Sequence, residues 1–164
     1  MESDTNERAT QWIQEIEQPA ALISYIYRTC QKYFAKELAA YNLGWGHFAI
    51  LMAVNEMDGP SQESIALSRG FDKTMVAKSI IRLEEEGFVH RVTDVNDRRI
   101  KRLFFTDKGK SILPELLRVG QTLNKSMLAD FKRTASTQAL KDLRRIALNV
   151  SKVQDSDSLV ENQG

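Results

Sequence analysis

The stretch Pro60–Gly109, PSQESIALSRGFDKTMVAKSIIRLEEEGFVHRVTDVNDRRIKRLFFTDKG, decides the fold. Ser61 stands before a short helical segment containing Ile65, Ala66 and Leu67, and its hydroxyl can accept from a first-turn amide. Gly70 follows where a turn between helices needs a residue tolerant of positive φ. Asp72 then caps a second helix that runs through Met75, Val76, Ser79, Ile80 and Leu83 to Gly87. Val76, Ile80 and Leu83 recur at helical spacing and are expected to face a core. Lys73, Thr74, Lys78 and Arg82 fall mostly away from that stripe.

Beyond this helix the period changes. Phe88–Thr93 alternates apolar and polar residues, as does much of Lys101–Thr106, and the DVNDRR segment between them is rich in turn formers. A capped helix, a turn, a basic helix and an arginine-bearing hairpin, in that order, describe a winged helix-turn-helix. A solvated helix face or a charged hairpin tip would explain each piece alone, but not their succession. The expected fold is mainly α with a small β-hairpin wing, and the expected partner is double-stranded DNA. Lys73, Thr74 and Met75 lie in the first turn, which meets base edges in such a helix. Ser61, Lys78 and Arg82 are expected mainly to meet phosphates, and Gln62 is counted with them among the DNA-binding residues. Arg99, with Arg98 beside it, suits a minor groove, whose focused negative potential attracts guanidinium groups.

Four stretches carry a resemblance to a known family: LGWGHFAILMAV (Leu43–Val54), SQESIA (Ser61–Ala66), DKTMVAKSIIRLEEEGFVHR (Asp72–Arg91) and DVNDRRIKRLFFTDKGK (Asp94–Lys110). The chain resembles the multiple-antibiotic-resistance regulator (MarR) family of dimeric winged-helix transcription factors, over roughly residues 20–150. The family's Asp-x-Arg wing signature falls on Asp97 and Arg99, which implies that the carboxylate orients the guanidinium. Val95 departs from the proline often found at that position. The resemblance also implies N- and C-terminal helices that intertwine in a two-fold dimer. The operator would then be two-fold related, with half-sites about 10 bp apart.

Charge is distributed to suit that partner. The chain of 164 residues has a net charge of only +1, yet Arg69–Lys110 carries eleven Lys/Arg against seven Asp/Glu. A local basic patch on a near-neutral protein favours site-directed phosphate contact over bulk condensation. The start, MESDTNERATQW, lacks the apolar run of a signal peptide, and no later run approaches a membrane span. A single cysteine, Cys30, excludes an intramolecular disulfide framework and fits a reducing compartment, so a cytoplasmic protein is expected.

The flanking segments read as amphipathic helices. Leu22, Ile26, Cys30, Tyr33, Phe34, Leu38 and Tyr41 form one apolar face, with Pro19 suited to the first turn. After Thr106, a second face runs from Ile112 through Leu116, Val119, Leu123 and Met127 to Phe131. A third helix restarting at Ser136 or Thr137 carries Leu140, Leu143, Ile146, Val150 and Val153. Four regions are expected: 1–42, an N-terminal segment and first dimerisation helix; 43–106, the DNA-binding domain; 107–153, C-terminal dimerisation helices; and 154–164, a disordered tail.

Catalysis finds little support. His47 and His90 are the only histidines, and no HExxH, GxSxG, phosphate-cradling glycine loop or cysteine pair occurs. Glu84–Glu86 reads as a solvated helix end. No enzyme activity, cofactor or metal is expected. Zinc-sensing members of the resembled family carry histidines on the long helix after the wing, and this chain has none there. Cys30 lies too far along its helix to match the family's peroxide-sensing thiol and is expected to be a buried, inert group.

A small, phenolic or anionic effector is what the resemblance implies for control. Tyr25, Tyr33, Trp45 and His47 are candidates to line its pocket, although such residues are more often plain core. A regulator without any ligand fits the sequence equally well. Two other classes compete with a DNA-binding repressor. One is a protein-docking winged helix, against which the retained Lys73, Lys78, Arg98 and Arg99 argue; the other is a thiol switch at Cys30.

Overall fold

A computed structural model describes residues 2–160. The elements are α1 (Glu2–Glu15), α2 (Pro19–Glu37), a short 3-10 turn (Ala39–Tyr41), α3 (Trp45–Glu56), α4 (Gln62–Arg69), α5 (Lys73–Glu85), β1 (Val89–Thr93), β2 (Lys101–Phe105), α6 (Asp107–Met127) and α7 (Arg133–Val160). They fall into two compact units, the first ending at Gly120 and the second beginning at Gln121, within α6.

Local chemistry sets most boundaries in the first unit. Pro19 opens α2 in the first turn, where its missing N–H is not needed. The Oγ of Ser61 accepts from the Ser64 amide at 3.1 Å, and Oδ1 of Asp72 accepts from the Met75 amide at 2.9 Å, so α4 and α5 both start on side-chain caps. Between them Gly70 takes the left-handed conformation (φ 63°), and the Phe71 amide returns to the Ala66 carbonyl at 2.9 Å. That closure turns the chain within two residues and fixes the angle between the helices.

The core of this unit draws on helices α2 to α6 and on both strands. Phe34 of α2 and Leu38 just after it, Ile50 and Leu51 of α3, Ile65 of α4, Val76, Ile80 and Leu83 of α5, Val89 of β1, Leu103 of β2, and Leu116 and Val119 of α6 are all buried. Each contributes roughly 1.5–3 kcal/mol of burial free energy. The three apolar positions expected for the second helix are therefore its buried face. Leu67, by contrast, stands 87% exposed, because α4 buries only Ile65 and Ala66.

The hairpin pairs Val89 with Phe105, Arg91 with Leu103, and Thr93 with Lys101. A third segment joins its edge: Ser61 bridges Arg102, and the Leu103 amide donates to the Pro60 carbonyl at 3.0 Å. The chain leading into α4 is thus bonded to the wing. Thr106 then ties the hairpin to α6, donating to the Gly87 carbonyl at 2.5 Å and accepting from the Gly109 amide at 3.0 Å.

Helix α1 goes beyond the sequence reading, which placed no helix before Pro19; its Trp12 packs on Tyr25 with ring centroids 5.7 Å apart. In the second unit α7 starts at Arg133 and continues to Val160, past the expected onset of a disordered tail. No glycine or proline interrupts the chain between Gly120 and Gly164, so nothing local stops the helix sooner. The rest of the expected tail, 161–164, lies outside the described residues.

Candidate nucleic-acid interface

Helix α5 presents a polar face opposite its buried stripe. Lys73, Thr74 and Lys78 are exposed there, and no ion pair holds either lysine among the described residues. Met75 is half-buried instead: its Sδ accepts from Ser79 Oγ at 3.5 Å, and it lies against Gly46 at the start of α3. Arg82 pairs with Glu86 at 2.6 Å and more loosely with Glu85 at 3.8 Å, so its charge is largely balanced within its own helix end. Ser61 and Gln62 sit at the N-terminus of α4, where unpaired amides and the helix dipole favour an anion.

The wing is built on two aspartates. Asp94, only 7% exposed, accepts from the amides of Asn96 at 2.8 Å and Asp97 at 3.0 Å, folding the loop back on itself. Its other carboxylate oxygen takes the Nε of Arg102, and Arg102 Nη1 reaches the Gly59 carbonyl at 3.0 Å. The Arg102 guanidinium, foremost, holds the Asp94 carboxyl below its ordinary pKa, with the two amides assisting. Asp97 grips Arg99 through Nε at 3.0 Å and Nη2 at 2.8 Å, and also accepts from the Arg99 amide at 3.0 Å. That grip lowers the Asp97 pKa and raises that of Arg99, whose side chain is nonetheless 91% exposed. Arg98 is exposed next to it, as is Val95.

Between α4 and the wing runs an open groove of about 650 Å³, lined in part by Ser61, Gln62, Arg91, Asp97, Arg99 and Lys101. The structure thus brings Ser61, Gln62, Asp97 and Arg99 to one surface. Sequence reasoning did not single out Arg91, Lys101 or Arg102. Arg91 pairs with Glu84 at 3.1 Å and Lys101 donates to Thr93 at 2.7 Å, both cross-element contacts that spacing alone does not reveal.

The four aromatic candidates for an effector pocket line no part of this groove. Tyr25 meets Trp12; Tyr33 donates to the Val119 carbonyl at 3.3 Å; Trp45 packs on Phe34 at 5.0 Å, which also touches Tyr33 and Phe48. The indole N–H of Trp45 is buried with no partner among the described residues. His47 acts as a cap: its Nδ1 accepts from the Gly44 amide at 3.3 Å, and burial, then Arg82, lowers its pKa. Cys30 is buried, and burial raises its thiol pKa, which disfavours the reactive thiolate form. No cluster of metal-ligating side chains occurs among the described residues, and no helix there is long and apolar enough to cross a membrane.

A helix-turn-helix whose edge carries a two-stranded, arginine-tipped hairpin defines a winged-helix DNA-binding protein. Residues 43–101 match the MarR family model. The uncharacterized HTH-type transcriptional regulator YybA of Bacillus subtilis (strain 168) is 30% identical over 116 residues, covering 71% of this chain and 77% of the relative. The crystal structure of a MarR transcriptional regulator from Methanosarcina mazei Go1 is 32% identical, with a TM-score of 0.74, over 82% of this chain and 96% of that one. A MarR-family regulator from Listeria monocytogenes, solved with a 26mer DNA, shares the fold at 24% identity and a TM-score of 0.78, over 84% of this chain and 91% of its own. The chain belongs to the MarR family and is a transcriptional regulator, not an enzyme.

Proposed function

We propose that this regulator acts in the cytoplasm as a homodimer that represses transcription by occupying a two-fold-related DNA operator. The observation that carries the DNA-binding mode is Arg99, almost fully exposed and held in place by Asp97, together with an α5 whose exposed Lys73 and Lys78 have no ion pair among the described residues. On this reading Lys73 and Thr74 meet base edges, Lys78, Ser61 and Gln62 meet phosphates, and Arg99 with Arg98 enters the minor groove. Met75 and Arg82 take smaller parts, since one is half-buried and the other is paired with Glu86. The DNA-bound Listeria relative lends the mode support by its fold.

Dimerisation is supported by the apolar residues that each unit leaves exposed. Ile23, Ile26 and Tyr27 project from α2, and Leu140, Leu143, Val150 and Val153 from α7. Faces of this kind on both flanks call for a second copy of the chain. Release by a small phenolic or anionic ligand draws support from the Trp45 N–H, unpartnered among the described residues, beside the Phe34 ring that also packs on Tyr33.

A fluorescence-anisotropy titration at ~0.15 M salt tests the reading, using duplexes selected from a randomised library against a shuffled control. A preference of ~10³-fold or more is expected. Equal, weak, salt-sensitive binding to both would overturn it. Added phenolic acids are expected to release the selected duplex, and saturation without change in affinity or thermal stability would remove the ligand.

A further inference from the structure

Arg102 stands at the only point where the wing loop, the hairpin and the segment before α4 are bonded together among the described residues. Its backbone bridges Ser61, the α4 cap, while its guanidinium spans the Asp94 carboxylate and the Gly59 carbonyl. Asp94 in turn fixes the Asn96 and Asp97 amides, and Asp97 fixes Arg99. A continuous chain of polar contacts therefore leads from Gly59, two residues before the α4 cap, to the exposed guanidinium at the wing tip. Every link is charge-assisted or closes a tight turn, and the Asp94 end is shielded from water.

We propose that Arg102 is a positioning residue for DNA recognition: it does not touch DNA, but sets the wing so that Arg99 meets the minor groove. This rests on the DNA-binding mode proposed above. Two facts separate the role from simple stabilisation. The hydrophobic core is complete without Arg102, since Leu103 beside it supplies the buried side chain of β2. Arg102 instead addresses the loop, eight residues back at Asp94 and forty-three back at Gly59. Loss of its guanidinium leaves the buried Asp94 carboxylate without its cation, and the loop that carries Arg99 loses its anchor.

The test is a double-mutant cycle read by fluorescence anisotropy on the selected duplex, with the parent, Arg99→Ala, Arg102→Met and the double variant. Arg102→Met is expected to weaken binding about tenfold in the parent and less than about twofold when Arg99 is already absent. Arg102→Lys, which can keep one of the two contacts, should recover part of the loss. Amide hydrogen exchange in the free protein gives a readout without DNA: the Asn96 and Asp97 amides should exchange faster in Arg102→Met while those of α5 keep their rates. If Arg102→Met does not fold, Asp94→Asn cuts the same pair from the other side and takes its place in both measurements. Equal losses with and without Arg99, or unchanged exchange at Asn96 and Asp97, would overturn the positioning role alone. An Arg99→Ala variant that binds as tightly as the parent would overturn the minor-groove reading and this role with it.

Discussion

Asp97 holds one edge of the Arg99 guanidinium with both carboxylate oxygens, through Nε at 3.0 Å and Nη2 at 2.8 Å, while the side chain stays 91% exposed. A surface pair of this kind adds little to stability. Its value lies in direction, because an arginine otherwise samples many rotamers and must surrender them on binding. Arg99→Ala is therefore expected to weaken the selected duplex by roughly tenfold or more. Asp97→Ala should weaken it less, since the cation remains and only its orientation is lost. Anisotropy titrations of the two variants decide the order, and an Asp97→Ala defect larger than that of Arg99→Ala would reverse the assignment.

The exposed polar residues of α5 should separate by kind. Lys78→Ala is expected to weaken all duplexes alike and to reduce the slope of log affinity against log salt by about one. Thr74→Ala should leave the salt slope unchanged and relax preference at one base pair, by about five- to a hundredfold. Binding measured across a salt series, on single-base variants of the selected duplex, distinguishes the two.

Gly109 sits in the first turn of α6, hard against the end of the hairpin. A Cβ there would stand 2.0 Å from the Phe88 carbonyl oxygen and 2.7 Å from the Phe105 ring. Backbone cannot yield as a flexible side chain does, so Gly109→Ala should cost about 3 kcal/mol or more, or prevent folding. Gly44→Ala makes the control, since nothing lies within 4 Å of an added Cβ there. Denaturant unfolding of both variants checks the contrast.

His47 predicts a pH dependence. Its pKa is lowered by burial and by Arg82, and Nδ1 can accept from the Gly44 amide only while unprotonated. A lowered folded pKa means that the unfolded chain binds the proton more readily, so stability rises with pH in this range. The contribution is complete above the ordinary value of 6.5 and is lost as pH falls through the lowered folded value. The melting temperature should drop between about pH 7.5 and pH 5, and by less in His47→Gln, whose amide oxygen can still accept. Equal drops in the two proteins would assign the effect elsewhere.

How far the sequence reached can be judged residue by residue. Ser61, Gly70 and Asp72 announced the caps and turn of the helix-turn-helix because each acts within three or four positions of itself. Val76, Ile80 and Leu83 were legible by period. Asp94 and Arg102 were not, because their partnership needs the hairpin register, and the Gly59 carbonyl comes from a distant segment. Arg82, expected to meet phosphate, also pairs with Glu86 four residues on, a partner that helical spacing alone makes legible. The aromatic residues near the chain start could be recognised as apolar, but only tertiary packing shows that Tyr25 meets Trp12 and that Trp45 leaves its N–H unpaired.

The bonding of Pro60 to Leu103 and of Ser61 to Arg102 makes the helix-turn-helix and its wing one rigid gauge. On the proposed docking, the gauge spans a major groove and the minor groove beside it at a single spacing. One base pair inserted between those grooves would shift the far contact by about 3.4 Å and rotate it by roughly a tenth of a turn. Either contact could then be made, but not both. On that docking, the distance between sequence elements in an operator, as much as the bases themselves, is what this lobe would measure.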